Sequence, residues 1–190
     1  EHGRIWRLIR NDAPRIERPD FMGSSVAQLV VMLGSTEQYT RNTARRQLVL
    51  RDPTKVTQAL RKSLTSLKPA SPSFEQDRLE ILWTFQAIGV VNLPLWDMVA
   101  SSPDPRARAT AMRILDDWGP QSDGGLERLR QGIADEHPQV RLEAVNTARY
   151  FNSDEAAATA LETLDHPMDP YLDFALWETM RRLEPHWLPK

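Results

Sequence analysis

Apolar residues recur along the chain with a spacing that predicts five helices, each with one buried face. Each helix carries an apolar residue that is followed, four positions later, by a second one. The second residues are Leu48, Phe85, Leu115, Ala148 and Met180. Positions one and seven places after the first residue are also apolar, except in the first repeat, where Arg45 and Arg51 stand there. These offsets lie on one side of a helix with 3.6 residues per turn, so the pattern predicts one apolar stripe per helix.

A charged residue marks the same place in every repeat, three positions before the stripe begins. The marker residues are Arg41, Arg78, Arg108, Arg141 and Asp173, at intervals of 37, 30, 33 and 32 residues. A fixed period of this length is typical of stacked repeats, in which each unit buries its apolar face against its neighbours. The sequence therefore predicts a stack of similar units.

The residues in front of the marked helices contain helix-start signals. Asp104-Pro105, His137-Pro138 and Asp169-Pro170 precede the last three, with a side-chain acceptor at the N-cap and proline at the first helical position. For the first two, Ser35-x-x-Gln38 and Ser73-x-x-Gln76 predict capping boxes.

A second set of amphipathic segments lies between the marked helices, which gives about five helix pairs and no convincing strand. The predicted fold class is therefore all-α, an α-α superhelix with an extended arm at its N-terminal end. We assign residues 1–21 to the arm, which we expect to be the end of a preceding domain, and residues 22–190 to the solenoid, because Pro14 and Pro19 disfavour a helix near the start.

The segments Asp104-Pro105-Arg106-Ala107-Arg108 and His137-Pro138-Gln139-Val140-Arg141 resemble the second helix of HEAT repeats. The period resembles that of the short bacterial variety. The resemblance implies a HEAT-like solenoid. It also implies that the marker arginine pairs with an acidic turn residue and helps to set the register of adjacent repeats.

A narrower resemblance is carried by His2-Gly3-Arg4-Ile5-Trp6-Arg7-Leu8 and by the stretch from Tyr39 to Leu48. Both are similar to large planctomycete-type membrane-bound dehydrogenases, which join a β-propeller, a HEAT segment and a c-type haem domain. This resemblance implies a connector between two modules of a periplasmic or extracytoplasmic protein. The start at Glu1, without an initiator methionine, also leads us to expect a fragment of a longer chain.

The net charge of −2 conceals an asymmetry, because residues 1–68 carry +7 and residues 69–190 carry −9. The basic residues of the first third are Arg41, Arg45, Arg46, Arg51, Lys55, Arg61 and Lys62. We expect Trp83 and Trp96 to be partly exposed. The candidate interaction surface consists of these two residues with Arg41, Arg45, Arg46 and Arg51. The alternative is nucleic-acid binding, as in HEAT-like bacterial DNA glycosylases, but the acidic remainder would repel a long duplex.

The marker arginines allow two interpretations. They could line a groove for phosphate or carboxylate ligands, which guanidinium groups bind with two parallel hydrogen bonds. Alternatively, Arg78, Arg108 and Arg141 form a structural ladder, and Asp104 pairs with Arg108 one helical turn away. We favour the ladder.

Other chemistry has little support in the sequence. The chain has no cysteine, and no nucleophile–base motif or phosphate-binding glycine loop is visible. His137 and His166, with Asp135, Glu136 and Asp165 nearby, could bind a divalent metal. We favour the simpler interpretation, in which His137 caps a helix and His166 lies in a solvated turn. No apolar run is long enough to span a membrane. We therefore predict a non-catalytic scaffold for proteins or adjacent domains, without a cofactor.

The remaining tryptophans are assigned to packing or to the end of the stack. Trp118 and Trp177 fall on the apolar stripe, so we expect both to be buried. The last helix pair still presents apolar residues to a further neighbour, so we expect either that residues 185–190 fold over it or that more protein follows. Trp187 is then either exposed or acts as a cap.

Overall fold

A computed structural model describes residues 3, 6, 11, 12 and 17–188. Every regular element within that part of the chain is helical. The α-helices are α1 (Val26–Met32), α2 (Gln38–Val49), α3 (Pro53–Ser66), α4 (Phe74–Ala87), α5 (Leu93–Ala100), α6 (Pro105–Trp118), α7 (Gly125–Ile133), α8 (Pro138–Ala148), α9 (Asp154–Leu161), α10 (Pro170–Arg182) and α11 (Glu184–Trp187). Most of the predicted arm lies outside the described residues.

The first ten helices form five consecutive pairs, which stack into an α-solenoid. The second helices of the pairs, α2, α4, α6, α8 and α10, each contact the next one along the chain. The first helices, α1, α3, α5, α7 and α9, make up the other layer, in which α1 contacts α3 and α7 contacts α9. The predicted fold class and the number of pairs are confirmed.

The core is the surface along which the repeats stack. Leu48, Phe85, Leu115 and Ala148 are fully buried, and Met180 is half-buried against the same cluster. The position four residues into the predicted stripe is therefore buried or half-buried in all five repeats. Since each buried leucine or phenylalanine contributes roughly 1.5–3 kcal/mol through burial, this surface is a main source of stability.

The ends of the stack differ from the expectation in one residue. Trp118 is buried as predicted, but the prediction that Trp177 is buried was wrong, because 52% of its surface is exposed. Its position faces the next repeat, and no described residue supplies one. The short helix α11 covers only part of this end, where the Trp187 Nε1–H donates to the Met180 carbonyl at 2.7 Å.

The helix starts marked by proline are confirmed at Pro105, Pro138 and Pro170, each after a capping side chain. The two predicted capping boxes were wrong. α2 begins after Glu37, and the Ser35 hydroxyl instead accepts the Glu37 amide at 3.1 Å. The Ser73 hydroxyl donates to the carboxylate of Asp77 at 2.7 Å, so it does not cap α4.

Candidate functional site

Three marker arginines bind the turn that precedes their own helix in the same way. Each Nη1 donates to the carbonyl oxygens six and five residues earlier. The bonds run from Arg41 to Ser35 (2.8 Å) and Thr36 (3.0 Å), from Arg108 to Ser102 (3.0 Å) and Pro103 (3.5 Å), and from Arg141 to Asp135 (2.9 Å) and Glu136 (3.0 Å). The guanidinium thus satisfies carbonyls that would otherwise lack a partner in the turn.

The same guanidinium groups also reach the following repeat. Arg108 binds Asp135 with two parallel hydrogen bonds, of 2.7 and 2.9 Å. Arg141 donates to the Pro167 carbonyl at 3.2 Å, and Arg41 Nε donates to Glu80 Oε1 at 2.9 Å. One side chain therefore connects two turns or helices that are about thirty residues apart in sequence.

Arg78 makes a different set of contacts. Its Nη2 donates to Glu75 Oε1 at 2.6 Å within α4, and its Nη1 donates to the Met98 carbonyl at 3.2 Å. Glu75 in turn accepts a hydrogen bond of 2.6 Å from the Ser102 hydroxyl. Because Arg108 binds the Ser102 carbonyl, polar contacts run from the second repeat to the turn before α10 without a break.

The pair predicted between Asp104 and Arg108 was wrong. The Asp104 carboxylate accepts the Arg106 amide at 2.9 Å as the cap of α6, and it also pairs with the Arg106 guanidinium at 2.9 Å. Those hydrogen bonds from Arg106 lower the pKa of Asp104. Arg108 is directed instead to Asp135 in the next turn, so it bridges repeats rather than turns of one helix.

The Asp135 carboxylate is held in its charged form by its partners. Burial would raise its pKa, but the hydrogen bonds from the Arg108 guanidinium and the His137 amide, together with the charge of Arg108, outweigh burial and lower it. A carboxylate with a lowered pKa stabilises the fold above its ordinary pKa, and this stability is lost as the pH falls through the lowered value.

We expect Asp135→Asn to lower the free energy of unfolding by about 1–3 kcal/mol at neutral pH, because Arg108 loses its charged acceptor. As the pH falls below the ordinary pKa of an aspartate, the difference from the parent protein should shrink, because the unfolded parent chain then binds a proton at Asp135 while the folded carboxylate, with its lowered pKa, does not. Urea unfolding at a series of pH values measures both effects. If the difference in unfolding free energy between the two proteins stayed constant from pH 7 to pH 3, the charge of the Asp135 carboxylate would not contribute to stability.

Arg41 and Arg45, from the predicted interaction surface, meet at one buried carboxylate. Glu80 of α4 accepts a hydrogen bond from each of them, and its side chain is only 3% exposed. Gln76 Nε2 donates to the same carboxylate at 2.8 Å. The Arg45 guanidinium also lies over the ring of the half-buried Trp83, 5.2 Å from its centroid. The two arginines therefore join α2 to α4 instead of facing a ligand freely.

The other basic residues of the first third do not extend this cluster into one surface. Arg51 donates to the Met22 carbonyl at 3.0 Å, whereas Arg46 is exposed on α2. Lys55, Arg61 and Lys62 are exposed on α3, in the layer of first helices. The single basic patch that the sequence indicated is thus divided between two layers.

Trp96 was wrongly assigned to the interaction surface. It is fully buried, and its Nε1–H donates to the Ala111 carbonyl at 2.6 Å. The indole therefore packs α5 onto α6. The sequence did not reveal this because α5 is short and apolar on most of its surface, so that periodicity does not separate its inner and outer faces.

Two residues of the metal hypothesis have other partners. Asp135 binds Arg108, and His137 Nδ1 accepts the Gln139 amide at 3.3 Å as the cap of α8. Among residues 3, 6, 11–12 and 17–188, no group of three or more His, Asp or Glu side chains is placed to hold a metal ion. The helices of the same residues include none that is both long and apolar enough to cross a membrane.

Two threonines that the sequence reasoning missed also join repeats. The hydroxyl of Thr147 donates to the Met112 carbonyl, and that of Thr179 donates to the Val145 carbonyl, both at 2.8 Å and both buried. Each threonine stands six residues after its marker, a position that is also threonine at Thr84. This recurrence is the signal that could have identified them.

Comparison with known proteins agrees with the repeat architecture. A family model described as HEAT repeats matches residues 93–181. Among curated proteins, none matches the chain. A crystal structure of an engineered protein is similar over 83% of this chain and 78% of that chain, with 18% sequence identity and a TM-score of 0.48. The segment from α5 to α10 is therefore similar to HEAT repeats.

Proposed function

We propose that this protein is a non-catalytic scaffold that docks other proteins or other domains of the same polypeptide. The observation that supports the proposal is that the marker arginines bind the protein's own turns. Arg108 and Arg141 bind turns of two successive repeats, so the charged groups best suited to hold a ligand serve the stack itself. Similarity to HEAT repeats supports the proposal, since extended solenoids present large surfaces to partners.

The docking surface that we propose centres on Arg45, Arg46 and Trp83. Arg46 and Trp83 stand five residues after their markers, so they occupy equivalent places on the neighbouring helices α2 and α4. Glu80 fixes Arg45 over the Trp83 ring. Arginine and tryptophan are the residues most often found at the energetic centre of protein interfaces. An acidic protein segment fits this combination of exposed positive charge and an immobilised aromatic ring.

Nucleic-acid binding is the weaker alternative. The basic residues lie in two layers, and Glu80 neutralises one of the two arginines that it binds. A protein that binds duplex DNA needs several cations along one face, and its affinity falls steeply with salt. Nothing in the described geometry favours such a face.

The resemblance of residues 2–8 and 39–48 to planctomycete-type dehydrogenases supports a finer version of the scaffold. In that version the solenoid connects a propeller to a haem domain outside the cytoplasm. Most of residues 2–8 lie outside the described part of the chain. Sequencing the complete gene tests this connector role, which requires a propeller before and a haem motif after the segment.

A photo-reactive amino acid at position 46 tests the docking surface in the source cells. We expect covalent adducts with protein from this position and far fewer when Trp83→Ala is added, because the ring is part of the same contact. The control places the photo-reactive residue at position 55, which is exposed on the opposite layer. Adducts with nucleic acid, or equal protein adducts from positions 46 and 55, would contradict the proposal.

A further inference from the structure

The helix α10 presents a row of exposed aromatic side chains. Tyr171, Phe174 and Trp177 follow one another at intervals of three residues and are 77%, 61% and 52% exposed. The rings of Phe174 and Trp177 lie 5.9 Å apart, and the Arg181 guanidinium lies 4.8 Å from the centre of the Trp177 ring. Three large aromatic residues in one exposed row are uncommon on a monomer and mark an interaction surface.

In the second, third and fourth repeats, the position equivalent to Trp177 is covered by the following repeat. Leu82, Met112 and Val145, which are equivalent to Trp177, are almost completely buried. Trp177 therefore lies on the stacking face of the last repeat, with Phe174 and Tyr171 beside it on the same helix. Of the described residues that follow it, α11 packs against α9 and α10, where Trp187 binds the Met180 carbonyl, and leaves the row exposed.

We propose that a second copy of this chain covers the row, with the two α10 helices antiparallel about a twofold axis at Trp177. Asp173 and Arg181 stand four residues before and four residues after Trp177. In this arrangement Asp173 of each copy lies opposite Arg181 of the other, so one contact produces two ion pairs. A twofold interface requires such a self-complementary surface. Both side chains are exposed, and neither forms a salt bridge within residues 17–188.

Two copies could also pair head to tail, with the last repeat of one copy against the first repeat of the other. The first repeat is, however, partly covered by residues of its own chain. At the first repeat, Phe21 is buried and packs edge-on against Tyr39, with 6.1 Å between the ring centres. Arg51 holds the Met22 carbonyl over the same end. The chain's own residues thus cover part of the face that a preceding repeat would use. The face on α10 has no such cover among the described residues, which favours contact between two α10 helices.

Sedimentation equilibrium of the parent protein and of charge variants tests this geometry. The parent protein should have twice its chain mass of 21.8 kDa, and Trp177→Ala should shift it to the monomer. Asp173→Arg or Arg181→Asp alone should weaken the dimer by about tenfold or more, because each places like charges opposite one another at two points. Arg61→Asp, which alters an exposed arginine on α3, is the control and should leave the dimer unchanged.

The antiparallel arrangement makes two further outcomes decisive. The double variant Asp173→Arg/Arg181→Asp should dimerise again, since the charges are exchanged but still opposite. An equimolar mixture of the two single variants should form a heterodimer, because each supplies the charge that the other lacks. A parent protein that stays monomeric up to millimolar concentration, as it would if another domain covered the row, overturns the proposal. A dimer that neither the double variant nor the mixture restores also overturns it.

Discussion

Replacement of Glu80 by alanine is expected to lower the free energy of unfolding by about 3–5 kcal/mol, the usual cost of removing one partner from a buried charge cluster. Arg41 and Arg45 both donate to this carboxylate, and the side chains of the three residues are 17%, 23% and 3% exposed. Without Glu80 the two guanidinium groups would face each other between α2 and α4 with no anion between them. Chemical denaturation followed by circular dichroism measures the loss.

Glu143 provides a matched control for this substitution. It stands two residues after its marker, as Glu80 does, but its partner Arg113 is 57% exposed and 3.3 Å away. Burial raises the pKa of Glu143, with Arg113 offsetting only part of the effect, so the fold disfavours its charge. Glu143→Ala should therefore cost less than about 1 kcal/mol. Equal losses for the two variants would contradict the role given to Glu80.

Phe85→Ala should be similarly damaging, with an expected loss of about 3–5 kcal/mol for a fully buried phenylalanine. Phe85 is 0% exposed in the stripe of α4, and α4 contacts the second helices on both sides, α2 and α6. In a stack of repeats a local defect weakens its neighbours most. Hydrogen exchange should accordingly accelerate more in α2 and α4 than in α8.

The control for Phe85 is Val91→Ala, in the loop after the same helix. Val91 is 52% exposed, so its truncation should change stability by less than about 0.5 kcal/mol. If Phe85→Ala cost no more than Val91→Ala, or accelerated exchange evenly over all helices, the stripe would not be the surface that joins the repeats.

The repeat architecture could be predicted because its signals are local and recur. The apolar offsets, the proline starts and the marker arginines each depend on residues within one or two helical turns. Five copies of the pattern allowed exceptions such as Arg45 to be recognised as exceptions. The pairing of helices followed from a second set of amphipathic segments between the marked helices, and the stacking of the pairs followed because a single pair cannot bury its stripe.

The candidate site was harder to predict because its contacts join residues that are distant in sequence. Glu80 lies 39 positions after Arg41, and no local pattern indicates that both arginines turn toward it. For the same reason Arg108 was assigned to Asp104, four residues away, when its stronger partner, Asp135, lies in the next repeat. The error at Trp177 is of the same kind, because burial at that position depends on a neighbour.

Nuclear Overhauser effects between successive second helices test the central claim, a single continuous layer of stacked repeats, most directly. With methyl groups labelled, we expect contacts from the Thr147 methyl to Met112 and from the Thr179 methyl to Val145, because each hydroxyl lies 2.8 Å from the carbonyl of that residue. Observation of both contacts supports a continuous layer of stacked second helices. Their absence in a folded sample, or contacts of these threonines only within their own helices, would contradict it.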